Sequence, residues 1–228
     1  MGNLSSVQSA PDDWPWVWAI RDVEVLDWKR NLSNEDILRT STAQALPVEI
    51  MDGLYLGSAK EASDLHMLES FGITHVVNAA GDRQAGPRGE YADRGIEYLQ
   101  LDGEDEEGYP MLDRHLQAAR EFIGPARRTG RVLVHCAAGL NRSGVLVAAE
   151  RMLSTRETVL ETVAHCRRAR GNMVLCNESF QEQLVALARA DGRLGPAPGR
   201  PGSVVPETPS PPGAARERPA ARSALDRL

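Results

Sequence analysis

Apolar and polar residues follow two different periods along residues 49–192, and each period predicts one type of secondary structure. Four short runs have the composition of β-strands, because they alternate or are apolar throughout: GLYLGS, ITHVVNA, IEYLQL and RVLVH. Five longer runs have helical character: AKEASDLHMLESF, LDRHLQAAREFI, GVLVAAERML, RETVLETVAHCRRAR and ESFQEQLVALARA. Strands that alternate with helices predict an α/β fold, with a central, mostly parallel sheet flanked by helices in a single domain.

The ends of three helices are predicted from the residues beside them. Gly72 follows the first helix as a C-terminal stop. Gly124 and Pro125 are expected to end the helix LDRHLQAAREFI, because proline has no backbone N–H to donate. Ser154 and Glu157 have the spacing of a capping box, which predicts the start of the helix RETVLETVAHCRRAR.

Composition divides the chain into three regions: residues 1–48 hold all four tryptophans, residues 49–192 hold the predicted strands and helices, and residues 193–228 hold eight of the 14 prolines. The last region has no aromatic residue and cannot bury enough apolar area to offset its ordering entropy, so we predict a disordered tail. Its six Arg and three acidic residues give it a charge of +3, and because the whole chain carries −6, the remainder carries −9. This balance argues against a general nucleic-acid binder.

The tryptophan-rich region allows two interpretations. The stretch DDWPWVWAIRDVEVLDW is too apolar for a plain linker, and we expect its indoles to pack on the main domain. The alternative is a docking segment for a partner, because Trp is enriched in interface hot spots. Ser33 and Asp36 have capping-box-like spacing for a short helix further along this region.

The first residues, MGNLSS, match the pattern for N-myristoylation, with Gly2 as the acceptor and Ser6 at the hydroxyl position. A single acyl chain gives only reversible membrane contact, and no nearby Cys or basic cluster supplies a second anchor. The three cysteines, Cys136, Cys166 and Cys176, have neither zinc-site nor disulfide spacing, and free thiols suit a reducing compartment. No long apolar run and no secretory signal is apparent. We therefore expect a cytoplasmic protein. Acylation of Gly2 would add reversible association with a membrane, and the sequence does not decide whether the protein also enters the nucleus.

The stretch HCAAGLNRSG lies between the last predicted strand and the helix that follows it. Backbone N–H groups of such a loop, together with the helix dipole, form a cradle for an anion. Ala137, Ala138 and Gly139 lack bulk, so a tetrahedral oxyanion can approach the main chain, and the planar fork of Arg142 can hold two oxygens. We expect the same groups to stabilise a thiolate at Cys136 and so to lower its pKa below that of an ordinary thiol. A thiolate that faces phosphorus is a nucleophile, and the missing Walker A lysine argues against a nucleotide P-loop.

HCAAGLNRSG resembles the H-C-x5-R-[ST] signature of the cysteine-based protein phosphatases. The elements DGLYLGS, GITHVVNAA and GIEYLQL, and a closing helix with F-Q-x-Q-L, are similar to the dual-specificity branch across residues 49–192. The resemblance implies that Cys136 is the nucleophile, that Arg142 clamps the phosphate, that Ser143 hydrogen-bonds the sulfur and that His135 orders the loop from behind. It implies neither a metal nor a cofactor. The residues expected to surround the phosphoryl group are Ala137, Ala138, Gly139, Leu140, Asn141 and Arg142.

A leaving alkoxide or phenoxide needs a proton, so a carboxylic acid must reach the cradle from another loop. The segment LDGEDEEGYP, after the strand IEYLQL, offers five candidates: Asp102, Glu104, Asp105, Glu106 and Glu107. The resemblance places the acid at Asp105, which as a carboxylate would then activate the water that hydrolyses a phosphocysteine. Asp102 stays the alternative, and Glu106 and Glu107 are expected to be solvated.

Three arginines, Arg167, Arg168 and Arg170, form a basic cluster near the end of the penultimate helix. The resemblance implies a role for one of them in binding a second phosphate or the phosphopeptide. The other interpretation is that they complement the helix macrodipole. Cys166 and Cys176 are expected to be packed thiols.

These features predict an enzyme that hydrolyses phosphotyrosine, and phosphoserine or phosphothreonine, in phosphoprotein substrates. RNA 5′-phosphatases also show G-x-N-R near this loop, but the charge of −9 and the expected Asp acid oppose that alternative. A lipid phosphatase is disfavoured because no Lys lies between Cys136 and Arg142. A phosphoprotein-binding module without turnover is the alternative from another class, and the intact Cys136 and Arg142 oppose it. The sequence leaves the oligomeric state and the physiological substrate open.

Overall fold

The computed structural model of the 228-residue chain describes residues 11–23 and 47–198. Five strands form one sheet in the order β1-β2-β5-β3-β4. They are β1 (Val48–Met51), β2 (Leu54–Ser58), β3 (His75–Asn78), β4 (Glu97–Gln100) and β5 (Val132–Cys136). Only the pairing of β1 with β2 is antiparallel. The predicted α/β fold with a mostly parallel sheet is confirmed, and β1 is an edge strand that the hydrophobic pattern did not reveal.

The described residues contain eight α-helices: α1 (Trp14–Asp22), α2 (Ala59–Ala62), α3 (Leu65–Ser70), α4 (Arg88–Asp93), α5 (Met111–Thr129), α6 (Arg142–Thr155), α7 (Val159–Arg170) and α8 (Glu178–Ala190). The segment AKEASDLHMLESF, expected as one helix, forms two. The Asp64 side chain accepts a hydrogen bond from the N–H of Met67 (3.0 Å), so a new helix starts inside the segment.

The expected end of α5 at Gly124 and Pro125 is wrong, because the helix continues to Thr129. Proline removes the hydrogen bond of its own N–H, and its ring crowds the carbonyl four residues earlier in the helix. Ile123 and Ala126, on either side, are buried in the core. The packing of these side chains offsets the missing bond, so tertiary contacts override the local signal.

The expected capping box of Ser154 and Glu157 is also wrong. Helix α7 begins at Val159, and its capping box is formed by Thr158 and Glu161, with the N–H of Thr158 donating to Glu161 Oε2 (2.9 Å). Ser154 belongs to the end of α6, where its hydroxyl donates to Glu150 Oε1 (2.8 Å). The sequence thus contains two consecutive capping patterns, and the second is used because Ser154 still belongs to α6.

The central strand β5 determines where the candidate site lies. All five of its residues are buried, and it is hydrogen-bonded on one side to β2 and on the other to β3. Its last residue, Cys136, lies opposite Ser58 at the end of β2. Because these strands are parallel, the loops that follow them meet at one edge of the sheet, which is where open α/β sheets bind ligands.

Helix α1 packs against α7 and α8 at some distance in sequence from both. Val17 and Ile20 are fully buried, and the indole Nε1 of Trp16 donates to the carbonyl of Leu194 (2.9 Å). Trp14 and Trp18 lie on the exposed side, with 37% and 46% of their surface accessible. The expectation that the indoles pack on the main domain is therefore confirmed for Trp16, whereas Trp14 and Trp18 are exposed and Trp28 lies outside the described residues.

The side chain of Arg167 connects α1 to the loop before α8. This buried guanidinium donates to the carbonyls of Ile20 and Val23, at the end of α1. It also donates to the carbonyls of Val174 (3.1 Å) and Leu175 (3.5 Å). A buried cation with several carbonyl acceptors holds its neighbours in place, since breaking these bonds leaves charged donors unsatisfied.

The described region continues to residue 198, past the predicted start of the tail at residue 193. The N–H of Arg193 donates to the carbonyl of Ala188 (2.6 Å), and Leu194 packs against the core. The predictions for Gly2, for the helix near Ser33 and Asp36, and for residues 199–228 lie outside the described residues. Within residues 11–23 and 47–198, no helix has both the length and the hydropathy needed to cross a membrane.

Candidate active site

The loop between β5 and α6 has its carbonyl groups engaged by donors outside the loop. Three hydrogen bonds of 3.1–3.2 Å do this: from the N–H of Ala59 to Ala137, from Arg170 Nη2 to Ala138, and from the N–H of Leu175 to Leu140. Carbonyl oxygens repel an anion, so holding them outward favours anion binding on the inner side of the loop.

Gly139 is required by the course of this loop. Its φ of +70° lies in the left-handed region, which side chains disfavour. A Cβ atom at this position would lie 2.5 Å from the carbonyl oxygen of Gly57, which is backbone and unable to move aside. The loop therefore packs directly on the end of β2 only because residue 139 has no side chain.

The sulfur of Cys136 lies at the base of the loop and is 1% exposed. Burial raises the pKa of the thiol, but hydrogen bonds to the sulfur from the Ser143 side chain and from the N–H groups of Ser143 and Leu140 lower it, as does the charge of Arg142. The Ser143 hydroxyl lies 3.1 Å from the sulfur. Burial is the largest single effect, but the lowering effects together outweigh it, so the pKa of Cys136 falls below its ordinary value.

Arg142, the first residue of α6, lies beside this sulfur with its side chain 15% exposed. Its Nη1 donates to the carbonyl of Gly103 (3.4 Å). Its Nε is buried and has no hydrogen-bond partner among the described residues. A buried guanidinium donor of this kind is suited to a bound oxyanion, which accepts charge-assisted hydrogen bonds in pairs.

Asp105 is the acidic residue that the structure brings to this cradle. Its Oδ2 lies 3.9 Å from Arg142 Nε and accepts a hydrogen bond from Asn141 Nδ2 (3.3 Å). Its Oδ1 accepts one from Asn177 Nδ2 (3.1 Å). The carboxyl group is thus held over the loop by two amides while its side chain stays 33% exposed.

The other carboxylates of this segment are held differently. Asp102 accepts a hydrogen bond from Gln100 Nε2 (2.8 Å), and its carbonyl accepts one from the hydroxyl of Tyr109. Glu107, expected to be only solvated, accepts a hydrogen bond from the N–H of Ser179 (3.2 Å) in the first turn of α8. Glu107 therefore caps a helix rather than facing Cys136.

A cavity of about 620 Å³ opens beside Arg142. Its lining includes five acidic residues and two arginines: Asp82, Asp102, Glu104, Asp105, Glu106, Arg83 and Arg142. The rim of the site is therefore predominantly acidic, although its base is built to hold an anion.

Asn141 was expected among the residues that surround the phosphoryl group, and its side chain has another role. The Oδ1 atom accepts hydrogen bonds from the N–H groups of Cys176 (3.0 Å) and Asn177 (3.2 Å). Asn177 was missed by the sequence analysis. The signal available was an Asn directly before the helix ESFQEQLVALARA, which is typical of an N-cap, and its Oδ1 does accept from the N–H of Phe180 (3.2 Å).

The three arginines of the basic cluster separate into different environments. Arg167 is buried as described above, Arg170 donates to the carbonyl of Ala138 within the cradle, and Arg168 is exposed. The structure thus makes Arg167 a packing residue and brings Arg170 to the cradle.

Two other titratable groups near the loop, His135 and Cys166, are not suited to proton transfer or nucleophilic attack at physiological pH. Burial lowers the pKa of His135, directly behind the loop, to about 4, so it is neutral at physiological pH. Burial raises the pKa of Cys166 to about 12. Cys176, expected to be packed, is exposed. In the part of the chain that the structure describes, no group of three or more His, Cys, Asp or Glu side chains is arranged to hold a metal ion.

Comparisons with known proteins extend this picture. Residues 54–190 match the family model of the dual specificity phosphatase catalytic domain. Dual specificity protein phosphatase 26 from Bos taurus is 41% identical over 143 residues, which cover 62% of this chain and 66% of that protein. Human dual specificity protein phosphatase 13B is 36% identical over 156 residues, 67% of this chain and 76% of that protein.

Two solved structures share the fold. A mouse putative dual specificity phosphatase complexed with zinc tungstate has a TM-score of 0.58 and 27% identity, and the match covers 66% of this chain and 92% of that one. The crystal structure of DUSP15 has a TM-score of 0.57 and 27% identity, with 64% and 88% covered. The matched family model spans more than half of the chain and includes every residue of the cradle. The chain therefore belongs to the dual specificity phosphatase family, with its catalytic domain at residues 54–190.

Proposed function

We propose that this protein hydrolyses phosphotyrosine, and phosphoserine or phosphothreonine, in protein substrates through a phosphocysteine intermediate. One observation supports this above all: the buried Cys136 sulfur accepts a hydrogen bond from Ser143 (3.1 Å), and its pKa is lowered although burial opposes the charge. A thiolate held beside a guanidinium at the end of a central strand is a nucleophile placed at an anion site.

In the first step, the Cys136 thiolate attacks phosphorus and the bond to the leaving oxygen breaks. Arg142 holds two of the three phosphoryl oxygens, and the N–H groups of the loop also donate to this group, so charge that develops in the transition state meets donors already in place. Asp105 gives its proton to the leaving oxygen. In the second step, the Asp105 carboxylate takes a proton from water, which attacks phosphorus and releases the thiolate. Ser143 stabilises this leaving sulfur by its hydrogen bond.

The acidic rim supports a phosphoprotein over an RNA substrate. The five acidic residues around the cavity would repel a polyanion, whereas a phosphorylated side chain on a neutral or basic peptide brings its own charge to the base of the site. The mouse relative was solved as a complex with zinc tungstate, and tungstate, like phosphate, is a tetrahedral oxyanion. A binding module without turnover is disfavoured because Cys136 is intact and lies within the influence of Arg142, and because Asp105, the candidate acid, lies 3.9 Å from Arg142 Nε.

Purified protein is expected to hydrolyse p-nitrophenyl phosphate in the presence of a metal chelator, since no step above uses a metal. Cys136→Ser should abolish this turnover, because a hydroxyl at this position is not ionised at neutral pH. Release of p-nitrophenol measures the rate, and mass spectrometry of acid-quenched mixtures should detect phosphate on Cys136. Wild-type protein that binds phosphopeptide but shows neither turnover nor adduct would favour the binding module.

Asp105→Ala is expected to lower kcat for a phosphotyrosine peptide by about 100-fold or more, as is usual for loss of a general acid. The fall in rate toward alkaline pH should flatten, since that fall reports loss of the proton that Asp105 supplies. Asp102→Ala is the matched control, because it removes the neighbouring carboxylate that lines the same cavity. The assignment is wrong if Asp102→Ala shows the larger loss and the flattened profile.

Ser143→Ala is expected to raise the pKa of Cys136, since it removes a hydrogen bond that stabilises the thiolate. Alkylation by iodoacetate requires the thiolate, so the midpoint of its pH profile should move to higher pH and labelling at mildly acidic pH should slow. Peptide mapping follows each cysteine separately, and Cys166, whose pKa is about 12, serves as the unreactive internal control. An unchanged midpoint would show that Ser143 does not stabilise the sulfur.

We further propose that Gly2 is myristoylated and that the protein is cytoplasmic with reversible membrane contact, on the basis of the MGNLSS pattern. Co-expression with an N-myristoyltransferase should add one acyl chain to the wild type and none to Gly2→Ala, as measured by intact mass. The acylated form alone should then sediment with vesicles. An unmodified N-terminal glycine in the wild type would contradict this proposal.

A further inference from the structure

Asn141 lies between the nucleophile loop and the candidate acid, and its side chain contacts both sides of the site. It directly precedes Arg142, at the start of α6, and its side chain makes no capping hydrogen bond to that helix. Its Oδ1 atom faces the segment before α8, and its Nδ2 atom faces Asp105. One carboxamide therefore connects three separate parts of the chain.

The orientation of this carboxamide follows from its partners. Two backbone N–H groups, of Cys176 and Asn177, lie 3.0 Å and 3.2 Å from the same atom, so that atom must be the acceptor oxygen. The Cys176 thiol, 3.3 Å away, donates to it as well. With the oxygen fixed, the NH2 group must point to the other side, where it donates to Asp105 Oδ2 (3.3 Å).

The second oxygen of Asp105 is held from the opposite direction. Asn177 Nδ2 donates to Oδ1 (3.1 Å), while the Oδ1 of Asn177 accepts from the N–H of Phe180 at the start of α8. Each carboxyl oxygen thus has one amide donor, and each amide is anchored to backbone. Every carboxyl oxygen also retains a second lone pair, so a proton can reside on the group without breaking these contacts.

We infer that Asn141 is a positioning residue that orients the Asp105 carboxyl group toward the leaving oxygen and couples it to the nucleophile loop. This inference rests on the proposed function. Because Asn141 is the immediate neighbour of Arg142, a change in the loop reaches the acid through the Asn141 side chain as well as through Arg142 Nε, which lies 3.9 Å from Asp105 Oδ2. The Cys136 sulfur is held by other groups, so Asn141 acts on proton delivery and not on the nucleophile.

The test compares two substrates whose leaving groups differ in their need for a proton. Phenyl phosphate releases a phenol similar to the tyrosine side chain, with a pKa of ~10, whereas p-nitrophenyl phosphate releases a more acidic phenol that departs as the anion. Asn141→Ala is expected to lower kcat for phenyl phosphate by about 10- to 100-fold, the loss typical of a misplaced catalytic group. For p-nitrophenyl phosphate, the loss should be less than about threefold, so the ratio of the two rates is the readout.

Asn141→Asp separates the two contacts of the side chain. It keeps an oxygen for the N–H groups of Cys176 and Asn177 and removes the donor to Asp105. If Asn141 positions the acid, the rate ratio should change in Asn141→Asp as it does in Asn141→Ala. If Asn141 only anchors the segment before α8, Asn141→Asp should keep the wild-type ratio, and the inference is then wrong.

Two controls complete the experiment. Gln117→Ala removes another amide–carboxylate pair, to Glu121 on the exposed side of α5 (2.9 Å), and should change neither rate. In the Asp105→Ala background, adding Asn141→Ala should lower kcat for phenyl phosphate by less than about twofold. The effects of two residues that act through one step are not additive. Full additivity, or equal losses on both substrates, would overturn the inference while leaving the proposed function intact. Absence of turnover in the wild type would overturn both.

Discussion

Cys136 is 1% exposed, and in the proposed mechanism its sulfur must nevertheless carry a negative charge to attack phosphorus. Burial alone would keep it protonated, as happens at Cys166, where the pKa rises to about 12. The difference comes from local donors: the hydroxyl and N–H of Ser143, the N–H of Leu140 and the charge of Arg142. All of these donors belong to the turn from β5 into α6. The chemistry thus depends on one short loop that replaces the water around an anion with fixed dipoles.

The architecture brings the rest of the site to this loop through the order of strands in the sheet. Strand β5 is central, so the turn that follows it packs on the end of β2, where Gly139 contacts the backbone of Gly57. The loop after β4 supplies Asp105, and the segment before α8 supplies Asn177. Neither segment is a neighbour of Cys136 along the chain. Contacts made by the side chains of Asn141, Arg142 and Asn177 connect the candidate acid to the loop that carries Cys136.

Four of the five strands, the family and the residues of the cradle could be predicted from the sequence, because each depends on a local pattern. The failures share a physical cause, which is that distant packing decides between local alternatives. Helix α5 passes through Pro125 because its neighbours are buried, and α7 uses Thr158 as its cap although Ser154 has equivalent spacing. The contact between Asn141 and Asp105 joins residues 36 positions apart, and no periodicity reports it.

The buried guanidinium of Arg167 has a consequence for where the catalytic unit begins. The family match starts at residue 54, but two of the carbonyls that accept from Arg167 belong to Ile20 and Val23. A fragment trimmed to the family boundary would lose those two acceptors of a buried cation that also holds the carbonyls of Val174 and Leu175, just before Asn177. The helix that supplies these acceptors, α1 (Trp14–Asp22), therefore supports the segment that carries Asn177 although it lies upstream of the matched family model.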